Sequence, residues 1–201
     1  SDVCSSDLMA LYCENSRGQC AEYTFGDLQR LSNQLANVLV SFGLQKGDRV
    51  AILLPQRVET GVAHLAAWKA GALSLPLSIL FGVDALKYRL QDSGARFVIA
   101  SSEACEKLRA LREDLPELHS IIDCDDEAAG FWALIDKASD SFQPVATLAD
   151  DPALVIYTSG TTGPPKGAVL PHRCLLGNLP GFELSQNFFP QSGDLMWTPA
   201  D

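Results

Sequence analysis

Apolar positions along the chain recur with two alternating periods. Leu28, Leu31, Leu35 and Leu39 are spaced by three and four, one face of a helix predicted over residues 26–42. Thr24, followed three residues later by Asp27, has the form of a capping box, and Gly43 supplies a stop. The segment Glu22 to Phe25 reads as a short extended lead into that helix. Lys46-Gly47-Asp48 forms a turn that feeds RVAILL, Arg49 to Leu54, an unbroken apolar run of the kind a buried parallel strand needs; Pro55 ends it. A helix follows over Val58 to Ala70, with Val62, Leu65, Ala66 and Lys69 along one side and Gly71 as its close. LSLPL, Leu73 to Leu77, is then a second strand.

The alternation continues through a helix at Asp84 to Gln91 capped by Asp84, a strand at Arg96 to Ala100 and a helix at Ser102 to Glu113. A strand at Ser120 to Cys124 and a short helix at Phe131 to Ala138 complete it. Strands alternating with helices predict an α/β fold with a largely parallel sheet and right-handed crossovers. Asp140 to Asp151 is polar and acidic and reads as a surface connection. Beyond it, Pro171-His172-Arg173 opens a helix with proline in its first turn, which Pro180-Gly181 should kink or split.

Between the strand-like runs PALVIY (Pro152 to Tyr157) and GAVL (Gly167 to Leu170) lies the most distinctive stretch, YTSGTTGPPKGAVLP, Tyr157 to Pro171. Four hydroxyls (Thr158, Ser159, Thr161, Thr162), glycines at 160, 163 and 167, the stiff pair Pro164-Pro165 and the single Lys166 suit an anionic polyphosphate. Glycine lets backbone N–H groups converge on oxygens, hydroxyls add donors, and lysine adds a mobile charge. The same composition also makes ordinary linkers, but linkers are rarely framed by two apolar strands. The spacing is not that of a Walker A loop, because two prolines separate Gly163 from Lys166.

YTSGTTGPPKGAVL closely resembles the signature loop of the adenylate-forming (AMP-binding) enzymes, which include acyl-CoA synthetases, luciferases and the adenylation domains of peptide synthetases. The match runs without a gap from Tyr157 to Gly167. The stretch Lys46 to Leu77 and the opening amphipathic helix resemble the early part of the same family. DLMWTPAD, Asp194 to Asp201, is similar to a segment of short- and medium-chain acyl-CoA synthetases. The resemblance implies an incomplete N-terminal domain of an acyl-CoA synthetase-like fold. It implies ATP, Mg2+ and coenzyme A, a carboxylic acid substrate, and a place in fatty acid metabolism. On it, Thr158, Ser159, Gly160, Thr161, Thr162, Gly163, Pro164, Pro165 and Lys166 would wrap the β- and γ-phosphates of ATP. The other readings are a different adenylate-forming ligase, peptide-synthetase or luciferase-like, and a non-catalytic nucleotide-binding module. The family's adenine-binding segment, ribose-binding aspartate and catalytic lysine match nothing in these residues, so the chain alone is expected to be inactive.

Charge and composition narrow the field. The 201 residues carry a net charge of −10, with no basic cluster, which argues against nucleic acid or an anionic membrane surface as partner. Six cysteines, at 4, 13, 20, 105, 124 and 174, have no metal or C-x-x-C spacing. With no secretory signal and no apolar run near the roughly 20 residues that span a bilayer, a reduced cytoplasmic protein is expected. The opening SDVCSSDL back-translates to TCAGACGTGTGCTCTTCCGATCT, the form of a sequencing adapter read as codons. Residues 1–8 are therefore read as non-native, leaving 9–201 as a partial N-terminal AMP-binding domain with its phosphate loop at 157–167.

Three other features carry weaker chemistry. His64 could act as a base, but the sequence places no partner for it, and it is read, with Trp68 and Lys69, as structural. Asp123, Asp125, Asp126 and Glu127 suggest a metal but lack EF-hand spacing, so an exposed loop is expected and no metal ligand is assigned. Cys174 is read as a buried thiol rather than a nucleophile.

Overall fold

The chain is described by a computed structural model over residues 5–14, 18–158, 163–191 and 193–197. An antiparallel pair, β1 (Met9–Glu14) and β2 (Cys20–Thr24), leads into α1 (Phe25–Ser41). The capping box forms as the sequence predicts: the Asp27 amide donates to Thr24 Oγ1 at 3.1 Å, and the Thr24 amide donates to Asp27 Oδ2 at 3.1 Å. Each bond satisfies an amide that the first helical turn leaves orphaned.

The main sheet has six strands in the order β6-β5-β3-β4-β7-β8. They are β3 (Arg49–Leu53), β4 (Leu73–Pro76), β5 (Phe97–Ala100), β6 (Ser120–Asp123), β7 (Pro152–Thr158) and β8 (Lys166–Pro171). All neighbours pair in parallel except β7 and β8, which form an antiparallel hairpin at one edge. The intervening helices are α2 (Val58–Lys69), α3 (Val83–Ser93), α4 (Ser102–Ala110) and α5 (Phe131–Ile135), with α6 (Arg173–Ser185) after the hairpin. The predicted α/β class with a mostly parallel sheet is what forms.

Strand alternation divides the interior into two cores. Val50 and Ile52 point to one face, where they pack with Leu35 and Leu39 of α1, Val62 of α2 and Phe131 of α5. Ala51 and Leu53 point to the other, joined by Leu86 and Leu90 of α3 and Leu108 of α4. Burying each such leucine is worth about 1.5–3 kcal/mol, so both helix layers are fixed onto the sheet.

Several boundaries differ from expectation, each for a physical reason. β1 does not show in the sequence pattern: a register shift between Met9 and Leu11 interrupts its two-residue period, and the apolar Tyr12 stands on its exposed face. Asp84 does not cap α3; Gly82 is the N-cap and Asp84 lies in the first turn, where its charge favours the helix dipole. α4 stops at Ala110, and Arg112–Asp114 tightens into a 3-10 turn. Pro171 belongs to β8 rather than to the next helix. α6 continues through Pro180 to Ser185 without splitting. The residues around that proline are exposed, so the carbonyl deprived of its N–H partner can face water.

Candidate functional site

The loop of interest joins β7 to β8. Their ladder pairs Tyr157 with Gly167 and closes on Thr158 opposite Lys166, so both ends of residues 159–165 leave the sheet side by side. β7 is parallel to β4, so the loop emerges at the carboxyl end of the parallel strands. That edge is where open α/β sheets bind ligands.

Of the nine predicted phosphate contacts, Thr158, Gly163, Pro164, Pro165 and Lys166 are described; Ser159, Gly160, Thr161 and Thr162 lie outside the described residues. Gly163 has φ +92°, a conformation L side chains rarely adopt, and nothing lies within 4 Å of a Cβ placed there. The glycine is thus required by backbone conformation rather than by packing. Gly167 plays the opposite part: its Cβ would stand 3.1 Å from Val155 Cγ1 and 3.3 Å from Tyr157 Cζ, so its bareness makes room for the tyrosine ring. Thr158 and Lys166 are both exposed, and Lys166 forms no ion pair among the described residues.

The base of the loop rests on α3. The Tyr157 hydroxyl donates to Asp92 Oδ2 at 2.5 Å and lies 3.3 Å from the Arg89 carbonyl, while the Tyr88 hydroxyl donates to the Pro165 carbonyl at 3.0 Å. The two tyrosine rings meet edge to face with centroids 6.5 Å apart. Arg89 lies over the Phe81 ring at 4.0 Å and near the Tyr157 ring at 5.6 Å. Burial, followed by the bond to Asp92, pushes the Tyr157 hydroxyl well above the ordinary phenol range, so it stays a donor. Tyr88 and Arg89 carry no signal in the sequence beyond membership of the helix predicted at Asp84 to Gln91, and Asp92 falls just past its predicted end.

The start of β7 is fastened separately. Trp68 Nε1 donates to the Ala153 carbonyl at 2.8 Å, and Lys46 Nζ meets Asp151 Oδ2 at 2.8 Å. Trp68 therefore has the structural role the sequence suggests. Lys69 does too, donating to Gln29 O, Ser32 Oγ and Asn33 Oδ1.

The weaker candidates do not assemble into a second site. His64 stacks at a tilt on Trp68 with centroids 5.6 Å apart, its Nδ1 buried without a partner, and burial lowers its pKa. No carboxylate or nucleophile stands beside it among the described hydrogen bonds. The acidic loop is used internally: Asp125 binds Arg57 Nη1 at 2.7 Å and the Ser102 amide at 2.9 Å, Asp123 accepts from Ser102 Oγ, and Asp126 accepts from the Ala128 and Ala129 amides. Among the described residues no three His, Cys, Asp or Glu side chains converge to hold a metal ion. Cys174 is half-buried rather than buried, because α6 lies on the surface with little packed over it. Among the described residues no helix is long and apolar enough to cross a membrane.

The family model described as AMP-binding enzyme matches residues 5–201. The chain belongs to that family. Among relatives of this AMP-binding chain, the mitochondrial acyl-coenzyme A synthetase ACSM2 of Rattus norvegicus is 34% identical over 96% of the chain and 34% of its own length. The crystal structure of Brucella canis acyl-CoA synthetase superposes with a TM-score of 0.85 at 29% identity, covering 97% of this chain and 36% of that one. ATP-bound MatB from Rhodopseudomonas palustris gives a TM-score of 0.78 at 29% identity, over 93% of this chain and 36% of that one. The AMP-binding chain thus spans about a third of the length of the relatives it matches.

Proposed function

We propose that the chain supplies the phosphate-holding part of an ATP-dependent carboxylate–CoA ligase. In that reaction a carboxylate oxygen attacks the α-phosphorus of ATP, pyrophosphate leaves, and an acyl-adenylate forms; the CoA thiol then takes the acyl group and AMP departs. The observation that carries the reading is the loop itself. It joins β7 to β8 at the carboxyl edge of the parallel strands, with Gly163 at φ +92° and an exposed Lys166, in no ion pair among the described residues, at its outgoing end.

The task of this part is positioning and charge stabilisation. Two anionic reactants must be held in line, and negative charge grows on the departing pyrophosphate. Thr158 and the hydroxyls and amides of Ser159 to Thr162 would donate to the β- and γ-phosphate oxygens. Gly163, Pro164 and Pro165 would fix the arm that carries Lys166, whose ammonium follows the leaving group. Magnesium would arrive with the nucleotide as its counter-ion, shielding phosphate charge; the described residues offer it no converging ligand set, and no step is assigned through it. The free thiols support a reducing compartment such as the cytoplasm.

In a full-length protein, Lys166→Ala should slow acyl-adenylate formation about ten- to hundredfold with folding intact. Unchanged adenylation kinetics would remove Lys166 from this role. Residues 1–201 alone should bind ATP without turning it over, since no residue matches the family's catalytic lysine. Carboxylate-dependent ATP–pyrophosphate exchange by the isolated chain would contradict that. Offering coenzyme A and a carrier-protein thiol to the full-length enzyme separates a CoA ligase from a peptide-synthetase adenylation domain.

A further inference from the structure

We propose that α3 is a clamp on the phosphate loop: Tyr88 and Asp92, one turn apart on a single helix face, pin its outgoing and incoming stems and so set its aperture for a polyphosphate. This rests on the reading of Thr158 to Lys166 as a phosphate cradle. The two bonds bracket the loop. Tyr157, immediately before Thr158, donates to Asp92; Pro165, immediately before Lys166, accepts from Tyr88.

The loop needs such help. Residues 159–165 make a connection longer than the about two to five residues of common hairpins. Its outgoing arm contains Pro164 and Pro165, which have no N–H to give to the β7 ladder. The arm's carbonyls remain as acceptors, and Tyr88 takes that of Pro165. On the incoming side, Gly167 leaves the space through which the Tyr157 ring lies across β8, and Arg89 packs between Phe81 and Tyr157. Tyr88 and Asp92 are positioning residues, since they touch the loop's stems and not the ligand.

The test uses the 201-residue chain, with MgATP and inorganic tripolyphosphate as probes. Tyr88→Phe removes one hydroxyl and keeps the ring; Asp92→Ala removes the other anchor. Asp92→Asn keeps an oxygen that can accept from Tyr157 and serves as the rescue. In the first two variants, exchange of whichever amides bond across the ladder in the Tyr157–Gly167 and Thr158–Lys166 pairs should quicken about fivefold, the population shift expected from losing one hydrogen bond. Exchange in β3 and β5 should stay at the wild-type rate. Affinity for MgATP and tripolyphosphate should fall about threefold or more in the same two variants and be retained by Asp92→Asn. Unaltered loop exchange, or faster exchange with undiminished affinity, overturns the clamp. A wild-type chain that binds neither probe overturns the phosphate cradle itself, and the clamp's function with it.

Discussion

Glu59 is a buried charge with both oxygens bonded, which makes its removal a demanding test of the packing argument. Its side chain is only 4% exposed, and both oxygens are in use. Oε2 accepts from Arg57 Nε at 2.7 Å, and Oε1 accepts from Arg57 Nη2 at 2.6 Å and from Trp132 Nε1 at 2.8 Å. Arg57 also reaches Asp125, so the cluster ties the start of α2 to α5 and to the loop after β6. Glu59→Ala leaves a half-buried guanidinium with one remaining carboxylate and strands the indole N–H. Breaking a buried pair from one side costs about 3–5 kcal/mol. The surviving Arg57–Asp125 bond compensates in part, which puts the expected loss at about 3 kcal/mol. Glu59→Gln keeps one acceptor for the tryptophan and should lose about half as much. Urea unfolding followed by far-ultraviolet circular dichroism measures both. A second readout, taken where both chains remain folded, follows the charge itself. The Cys13 thiol is pushed up first by burial and then by the Glu59 charge, so neutralising Glu59 should hasten its alkylation at a fixed pH. Glu59→Ala within 1 kcal/mol of wild type, with Cys13 alkylation unchanged, would refute the reasoning.

Three further outcomes follow from the same structure. The Thr24 side chain, and then its amide, hold the Asp27 carboxyl below the ordinary range. A depressed folded pKa adds stability above the unfolded value that is lost as pH falls through the folded one. The gap between wild type and Asp27→Ala in thermal melting should therefore be open at neutral pH and close in acid below the normal aspartate pKa; a gap independent of pH would rule the capping box out as its source. Gly130→Ala would place a Cβ less than bonding-contact distance from the Asp123 and Asp126 carbonyls, so the turn before α5 must open. A loss above about 3 kcal/mol is expected, and a variant that melts like wild type would disprove the contact. Burial, with Asp123 adding to it, pushes the Cys105 thiol up to about 12, while Cys20 is exposed. Iodoacetamide at pH 8 should label Cys20 in the native chain and reach Cys105 only after unfolding, as peptide mass mapping would show.

Much of this fold can be read from residues that act locally. The Thr24–Asp27 box, the leucine stripe of α1 and the unbroken RVAIL run report their own structure, because the partners that decide it are close in sequence or are simply the interior. Asp84 misled because an acidic residue favours the first turn as well as the cap, and Gly82 could take the extended cap conformation instead. β1 was invisible because a register shift after Met9 breaks its period and the exposed Tyr12 blurs the difference between its faces. The candidate site divides the same way. Glycines, hydroxyls and Lys166 mark the loop as a polyphosphate candidate from composition alone, whereas its supports leave no such mark. Tyr157 and Asp92 are 65 positions apart, and Tyr88 reaches a carbonyl, which has no side-chain identity for the sequence to display.

The antiparallel turn from β7 to β8 also bears on the order of assembly. Every other pair in the sheet joins segments separated by a helix, and β7 meets β4 across the long interval from Ser74 to Leu154. The hairpin closes over residues 159–165, a longer turn than most but far shorter than any crossover, so it can pair before the crossover sheet has brought its remote segments together. The loop's two arms can therefore be joined before there is a sheet edge to receive them. Trp68, already in place on α2, then offers the Ala153 carbonyl a landing point. On this order the β7–β8 hairpin is a prefabricated part docked onto a finished frame, and substitutions within it should alter unfolding more than the rate at which the parallel strands fold.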